Sequence, residues 1–197
     1  MFARISKYFR KISDIDLNPL VLDDKAMDRL EVERKKQNKN LHLEIRIIRD
    51  REKKGTVHVG FSLDSLNHPV HPTFGQIVTE EDFESLASGL ISYDDAEGRY
   101  LFYPNIDLLW EDTPKVSIKR IRANKHFTKK DQEWTSDAGS ICPPIKSIIE
   151  HLNVISCYAK GSLFQIEVKD HQISNEFEEE ISEYLLIYFS SLYPPLA

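Results

Sequence analysis

Leu41, Leu43, Ile45 and Ile47 alternate with His42, Glu44 and Arg46, and after the charged loop DREKKG the alternation returns at Val57, Val59, Phe61 and Leu63. A period of two sends successive side chains to opposite faces of a strand. Two such runs joined by a loop containing Gly55 therefore predict an antiparallel hairpin with one buried face. The next segment, LNHPVHPTFG, carries two prolines that exclude a regular helix or a central strand.

Further along, Thr79 is expected to cap a helix through EEDFESLASGLI, with acids in its first turn and a buried stripe of Phe83, Leu86 and Leu90. YDDAEG at 93–98 reads as a turn, RYLFYP as a strand, NIDLLWED as an extended or helical piece, and KVSIKRIR as another strand. The polar stretch 123–140 has Phe127 and Trp134 as its anchors. A helix from about Pro143 to Asn153, strands VISCYA and LFQIEVK joined at Lys160 and Gly161, and a long terminal helix complete the chain. That last helix is expected to open on a capping box from Asn175 to Glu178. Its apolar stripe is Phe177, Ile181, Leu185, Tyr188 and Leu192, and Pro194 and Pro195 stop it.

Strands mixed with helices, without regular alternation, predict an α+β fold with a mainly antiparallel sheet and three packed helices. Residues 41–197 are expected as a single core domain. Residues 1–40 read as a basic helical appendage, in which Phe2, Ile5, Phe9 and Ile12 recur at helical spacing between basic residues. The helix expected over 25–38 is mostly charged, with Met27 and Leu30 as its apolar face.

The charges are sorted along the chain. Residues 1–56 hold fifteen Lys/Arg against ten Asp/Glu, and residues 57–112 hold one against eleven. Residues 113–133 return to seven against two, and residues 134–197 hold three against nine. Segregated charge steers encounters with partners more than it stabilises a fold, so protein docking is the leading expectation.

At 197 residues the chain can bury roughly 70% of its extended surface, and 41% hydrophobic residues with 10% aromatics are too many for disorder. Cys142 and Cys157 are too few for a disulfide framework, which indicates a reducing compartment. The N-terminus lacks the apolar run of a secretory signal, and no window reaches the eighteen or so apolar residues of a membrane span. The expected location is cytoplasmic.

Several constellations bear on chemistry. Glu167 and Lys169 lie two apart on a strand with Glu150 on the preceding helix, a spacing that metal-dependent nucleases use. The stretch His151–Ile166 offers no acid to complete such a site, and a half-buried strand explains the pattern equally well. His68 and His71 in HPVHP lack further ligands in any recognisable pattern. Cys142 precedes Pro143 at a helix start, where the dipole would lower a thiol pKa, yet no base is fixed beside it. No catalytic residue, metal site or cofactor is assigned.

Two surfaces remain. The acidic block places Glu80, Glu81, Glu84, Asp94 and Asp95 near Tyr100, Tyr103 and Trp110, acids beside aromatic anchors that suit capture of a basic protein. An accessory subunit or a toxin-neutralising protein would fit. The basic block Lys119, Arg120, Arg122, Lys125, Lys129 and Lys130 can follow a phosphate backbone, with Phe127 or Trp134 stacking on an unpaired base. Internal pairing of that block with the acids of residues 80–112 accounts for the same charges.

Overall fold

The computed structural model describes residues 20–37, 42–62, 70–71, 76–78, 83–86, 88–135, 141–170 and 173–193. The fold is α+β. The chain divides into two compact units, one holding Leu20–Arg51 and Gly55–Asn105 among the described residues, the other Glu52–Lys54 and Ile106–Tyr193. The boundary falls inside the stretch read from sequence as one core. The amphipathic repeat Phe2–Ile12, Thr79, His68 and the terminal prolines lie outside the described residues.

The first unit contains β1 (Val21–Leu22), α1 (Asp24–Gln37), β2 (His42–Arg49), β3 (Gly55–Ser62), β4 (Val70–His71), β5 (Gln76–Val78), α2 (Phe83–Leu86), β6 (Gly89–Asp94) and β7 (Arg99–Pro104). The alternating runs form the antiparallel hairpin β2–β3, and Ile45, Ile47, Val57 and Val59 point to its buried face. This sheet runs β3-β2-β5-β4, with β2 and β5 parallel. Its edge strand β4 follows Pro69 and precedes Pro72, consistent with proline's exclusion from central strands.

A second sheet runs β1-β6-β7, with β1 and β6 parallel and β6 and β7 antiparallel. It overturns the helix expected through Ile91. The helix α2 stops at Leu86, Ser88 takes a left-handed φ of 61°, and Leu90 and Ile91 belong to β6. The β-branched Ile91 and aromatic Tyr93 favour a strand, and two neighbouring strands supply its hydrogen bonds. Gly89 is required there because a Cβ would run into the Phe102 ring. The YDDAEG turn closes as expected: Asp94 Oδ1 accepts hydrogen bonds from the backbone N–H groups of Ala96 and Glu97 at 2.9 and 3.2 Å, and Gly98 supplies a φ of 65°.

The charged helix α1 is capped by Asp23, whose Oδ1 accepts from Ala26 N at 2.8 Å. Its buried residues are Ala26 and Leu30, whereas Met27 is 40% exposed. The buried face is rotated from the expected one because alanine carries little weight in a periodicity argument. It is small enough to let the helix approach closely.

The second unit contains β8 (Leu108–Asp112), β9 (Ile118–Ala123), β10 (Gln132–Trp134), α3 (Pro143–Glu150), β11 (Val154–Lys160), β12 (Leu163–Val168) and α4 (Asn175–Ser190). Its five strands make one antiparallel sheet in the order β10-β11-β12-β9-β8. One sheet face holds Trp134, Cys157, Phe164, Ile166 and Ile121. It shares a single core with Ile145 and Ile148 of α3 and Phe177, Ile181, Leu185 and Tyr188 of α4. The cap of α4 is Ser174, one residue before the expected Asn175: its Oγ accepts from Phe177 N at 3.2 Å. Ser174 has the extended backbone of a cap, while Asn175 is already helical.

Candidate functional site

The acidic and aromatic residues singled out from sequence are distributed over both units. In the first, Tyr93 and Tyr100 are cross-strand partners on β6 and β7, their rings 5.0 Å apart and edge-on. The Arg29 guanidinium of α1 lies 5.2 Å over the Tyr93 ring, and Arg29 pairs with Glu33 at 2.8 Å. Tyr100 is buried, and its phenol pKa is pushed up, chiefly by that burial. This face of the three-stranded sheet is therefore turned inward.

The opposite face is different. Tyr103 pairs with Leu90 and Leu90 with Val21, so the three form one transverse row, in which Tyr103 and Val21 are each 42% exposed. Leu101 and Ser92 make the next row, and beyond it Asp94, Asp95 and Glu97 form the turn. Glu97 is paired with Arg99, while Asp95 is exposed. The side chain of Glu84, with Glu80 and Glu81, lies outside the described residues.

Trp110 belongs to the second unit. Its Nε1 donates to Ser182 Oγ at 3.0 Å, and its ring lies 6.4 Å from that of Phe177, so one face of the indole is committed to α4.

Two residues of the basic block, Lys119 and Arg122, and its neighbours Lys115 and Lys160 are paired with acids. Lys119 Nζ lies 3.0 Å from Asp112 and Lys115 Nζ 2.8 Å from Glu167. Arg122 donates to both oxygens of Glu111 at 2.9 and 3.3 Å, and these bonds hold the Glu111 carboxyl below its ordinary pKa. Lys160 pairs with Asp131 at 3.0 Å. Lys129 and Lys130 are exposed, and Lys125 is buried at 8% exposure, which pulls its pKa down to about 7. Phe127 and Trp134, expected as stacking platforms, are 0% and 1% exposed and belong to the core. A long polar stretch buries its few aromatics first.

The carboxylates and lysine of the nuclease pattern are held apart. Glu167 takes Lys115, Lys169 Nζ donates to the Leu152 carbonyl oxygen at 2.7 Å, and Glu150 lies 3.6 Å from Lys146. Among the described residues, no group of three His, Cys, Asp or Glu side chains converges as a metal site would require. Cys142 does sit at the N-cap of α3, but burial outweighs the helix dipole and raises its thiol to about 11. That corrects the lowered pKa expected from its place in the sequence.

Two features escaped the sequence reading. The exposed row Val21–Leu90–Tyr103 depends on a parallel pairing between strands nearly seventy residues apart. The direct apposition of Gln165 and Arg120 depends on the β12–β9 register. The alternation in LFQIEVK did place Gln165 on the solvent face. No family model matches this sequence, and no curated protein matches it.

Proposed function

We propose that this protein is a docking module, an accessory or neutralising subunit whose partner seats on the exposed face of the three-stranded sheet. The observation that carries this reading is the row Val21–Leu90–Tyr103, an aromatic anchor at 42% exposure beside aliphatic side chains and near the acids Asp94 and Asp95. Such an anchor supplies binding energy by desolvation, while nearby acids raise the encounter rate with a basic partner. Tyr103 is the centre of the contact in this reading, with Tyr100 supporting the sheet from beneath.

Nucleic acid is the weaker reading, because phosphate contacts at Lys119 and Arg122 would have to displace carboxylate partners, Lys125 is buried, and Phe127 and Trp134 are not available for stacking. No helix among the described residues is long and apolar enough to cross a membrane. A cytoplasmic location belongs to the proposal, in keeping with two free, buried cysteines.

Cross-linking from position 103 tests the reading. With a photoreactive aromatic residue replacing Tyr103 in the native cell, a discrete protein adduct is expected that disappears when Val21 and Leu90 are both changed to Ser. Adducts that are absent, or that survive the double change, would sink it.

A further inference from the structure

The outer face of the five-stranded sheet contains an arginine whose Nε–H finds no acceptor among the described residues. Ile121 and Phe164 are buried on the core face, so Arg120 and Gln165, adjacent to them in sequence, point outward. The registers of β10, β11, β12, β9 and β8 place Glu133, Tyr158, Gln165, Arg120 and Glu111 in one transverse row across this face.

Arg120 stands directly opposite Glu111, but both oxygens of that carboxylate are taken by Arg122. The Nε of Arg120 is shielded from solvent and has no hydrogen-bond partner among the described residues. A shielded donor on a charged group normally finds an acceptor, because leaving it unmet costs about 1–3 kcal/mol or more. The register explains how the deficit arises: two arginines, two residues apart on β9, face one glutamate on β8.

We propose that Arg120, with the amide of Gln165 beside it, is a receptor for a single carboxylate presented by a peptide segment of a partner protein. A planar guanidinium matches a planar carboxylate with two parallel hydrogen bonds, and a neighbouring amide can add a third. Charge complementarity selects this occupant over a phosphate chain. The other cations of the surrounding surface, Lys115, Arg122 and Lys160, already hold Glu167, Glu111 and Asp131, so the Arg120 guanidinium is the one with an unmet donor, and Glu111 and Glu133 in its own row leave room for a single negative charge at most. A polyanion would meet those carboxylates as repulsion. The rows on either side of Arg120 carry Leu163 and Leu109, the latter 44% exposed, and Ile118. They offer apolar contact to the chain that bears the carboxylate. This receptor lies in the second unit and is independent of the docking row around Tyr103.

The Nε–H resonance of Arg120 in the labelled full-length protein reports on the site. N-acetyl-leucyl-leucine with a free C-terminal carboxylate is the probe, with the same peptide amidated, acetate, and inorganic phosphate as controls at constant ionic strength. A saturable shift is expected with the free acid and none with the amide. Acetate is expected to act more weakly, since it lacks the apolar chain. Arg120→Lys keeps the charge but loses the fork and is expected to bind about tenfold more weakly, the loss of one charge-assisted hydrogen bond. Arg120→Met is expected to abolish the response in neighbouring backbone amides while unfolding at no lower denaturant concentration than the parent, since it removes an unmet donor. An absent or non-saturating shift with the free acid overturns the proposal, as does an equal shift with the amide. Acetate acting as strongly as the peptide overturns the peptide source, and phosphate acting at least as strongly as the free acid overturns the ligand class.

Discussion

Tyr188 donates its hydroxyl proton to the backbone carbonyl oxygen of Phe127 at 2.8 Å, joining α4 to a loop sixty-one residues earlier in the chain. The Phe127 N–H is held by the Gly161 carbonyl oxygen at 2.7 Å, and the Phe127 ring lies 4.9 Å from that of Phe189 and 5.2 Å from that of Phe164. A polar loop is thereby fixed at one residue by both of its backbone groups and its side chain. Tyr188→Phe would keep the packing but orphan a buried carbonyl, and should lower the unfolding free energy by about 1–3 kcal/mol. Denaturant titration reads this directly; an unchanged midpoint would mean that the bond contributes nothing.

Capping of α4 separates two adjacent residues. Ser174→Ala should cost about 1 kcal/mol, because the Phe177 N–H loses its acceptor. Asn175→Ala, at the first helical position, should be neutral or slightly stabilising. Comparable losses from both changes would place the cap elsewhere.

Lys125 gives the protein a pH dependence with a definite sign. The unfolded chain keeps the Lys125 proton up to the ordinary 10.5, whereas burial makes the folded chain release it near 7. Between these values the unfolded state binds more protons, so the penalty is full below pH 7 and fades as the pH rises toward 10.5. Lys125→Met should therefore gain most over the parent at and below neutral pH, with an upper bound of ~5 kcal/mol, since the two titrations lie about 3.5 pH units apart and each unit is worth about 1.4 kcal/mol. The advantage should narrow in alkaline buffer. Equal stability of parent and variant across this range would contradict the burial of the ammonium group.

Both thiols should be inert in the native protein. Burial raises Cys142 to about 11 and Cys157 to about 12, so near neutral pH each is almost wholly protonated as well as shielded. Mass spectrometry after iodoacetamide treatment should show alkylation only once denaturant is present. Rapid labelling of the folded protein would show that one thiol is reachable.

Patterns within an element or across one short turn were read well from sequence, and pairings between distant elements were not. The β2–β3 hairpin, the Asp94–Gly98 turn and the stripe along α4 each depend on residues fewer than about twenty positions apart, where side-chain periodicity and turn chemistry act directly. The EEDFESLASGLI segment misled because Leu86 and Leu90 also fit helical spacing. Its last residues were claimed by β1 and β7, whose offer of backbone hydrogen bonds no local pattern records. The candidate docking row was half legible. Tyr103 was singled out among aromatics near acids, but Val21 and Leu90 became its neighbours only through strand order.

The amino-acid order alone determined the α+β class, the alternating faces of the strands and the blockwise separation of charge, because each is a property of residues close together in the chain. The tertiary structure decided which charges remain available. Register sets Lys119 against Asp112 and Arg122 against Glu111, and leaves the Arg120 Nε without an acceptor among the described residues. Charge blocks that look opposed in one dimension become interleaved on adjacent strands, since an antiparallel sheet brings distant segments to within one strand spacing of each other, about 4.8 Å.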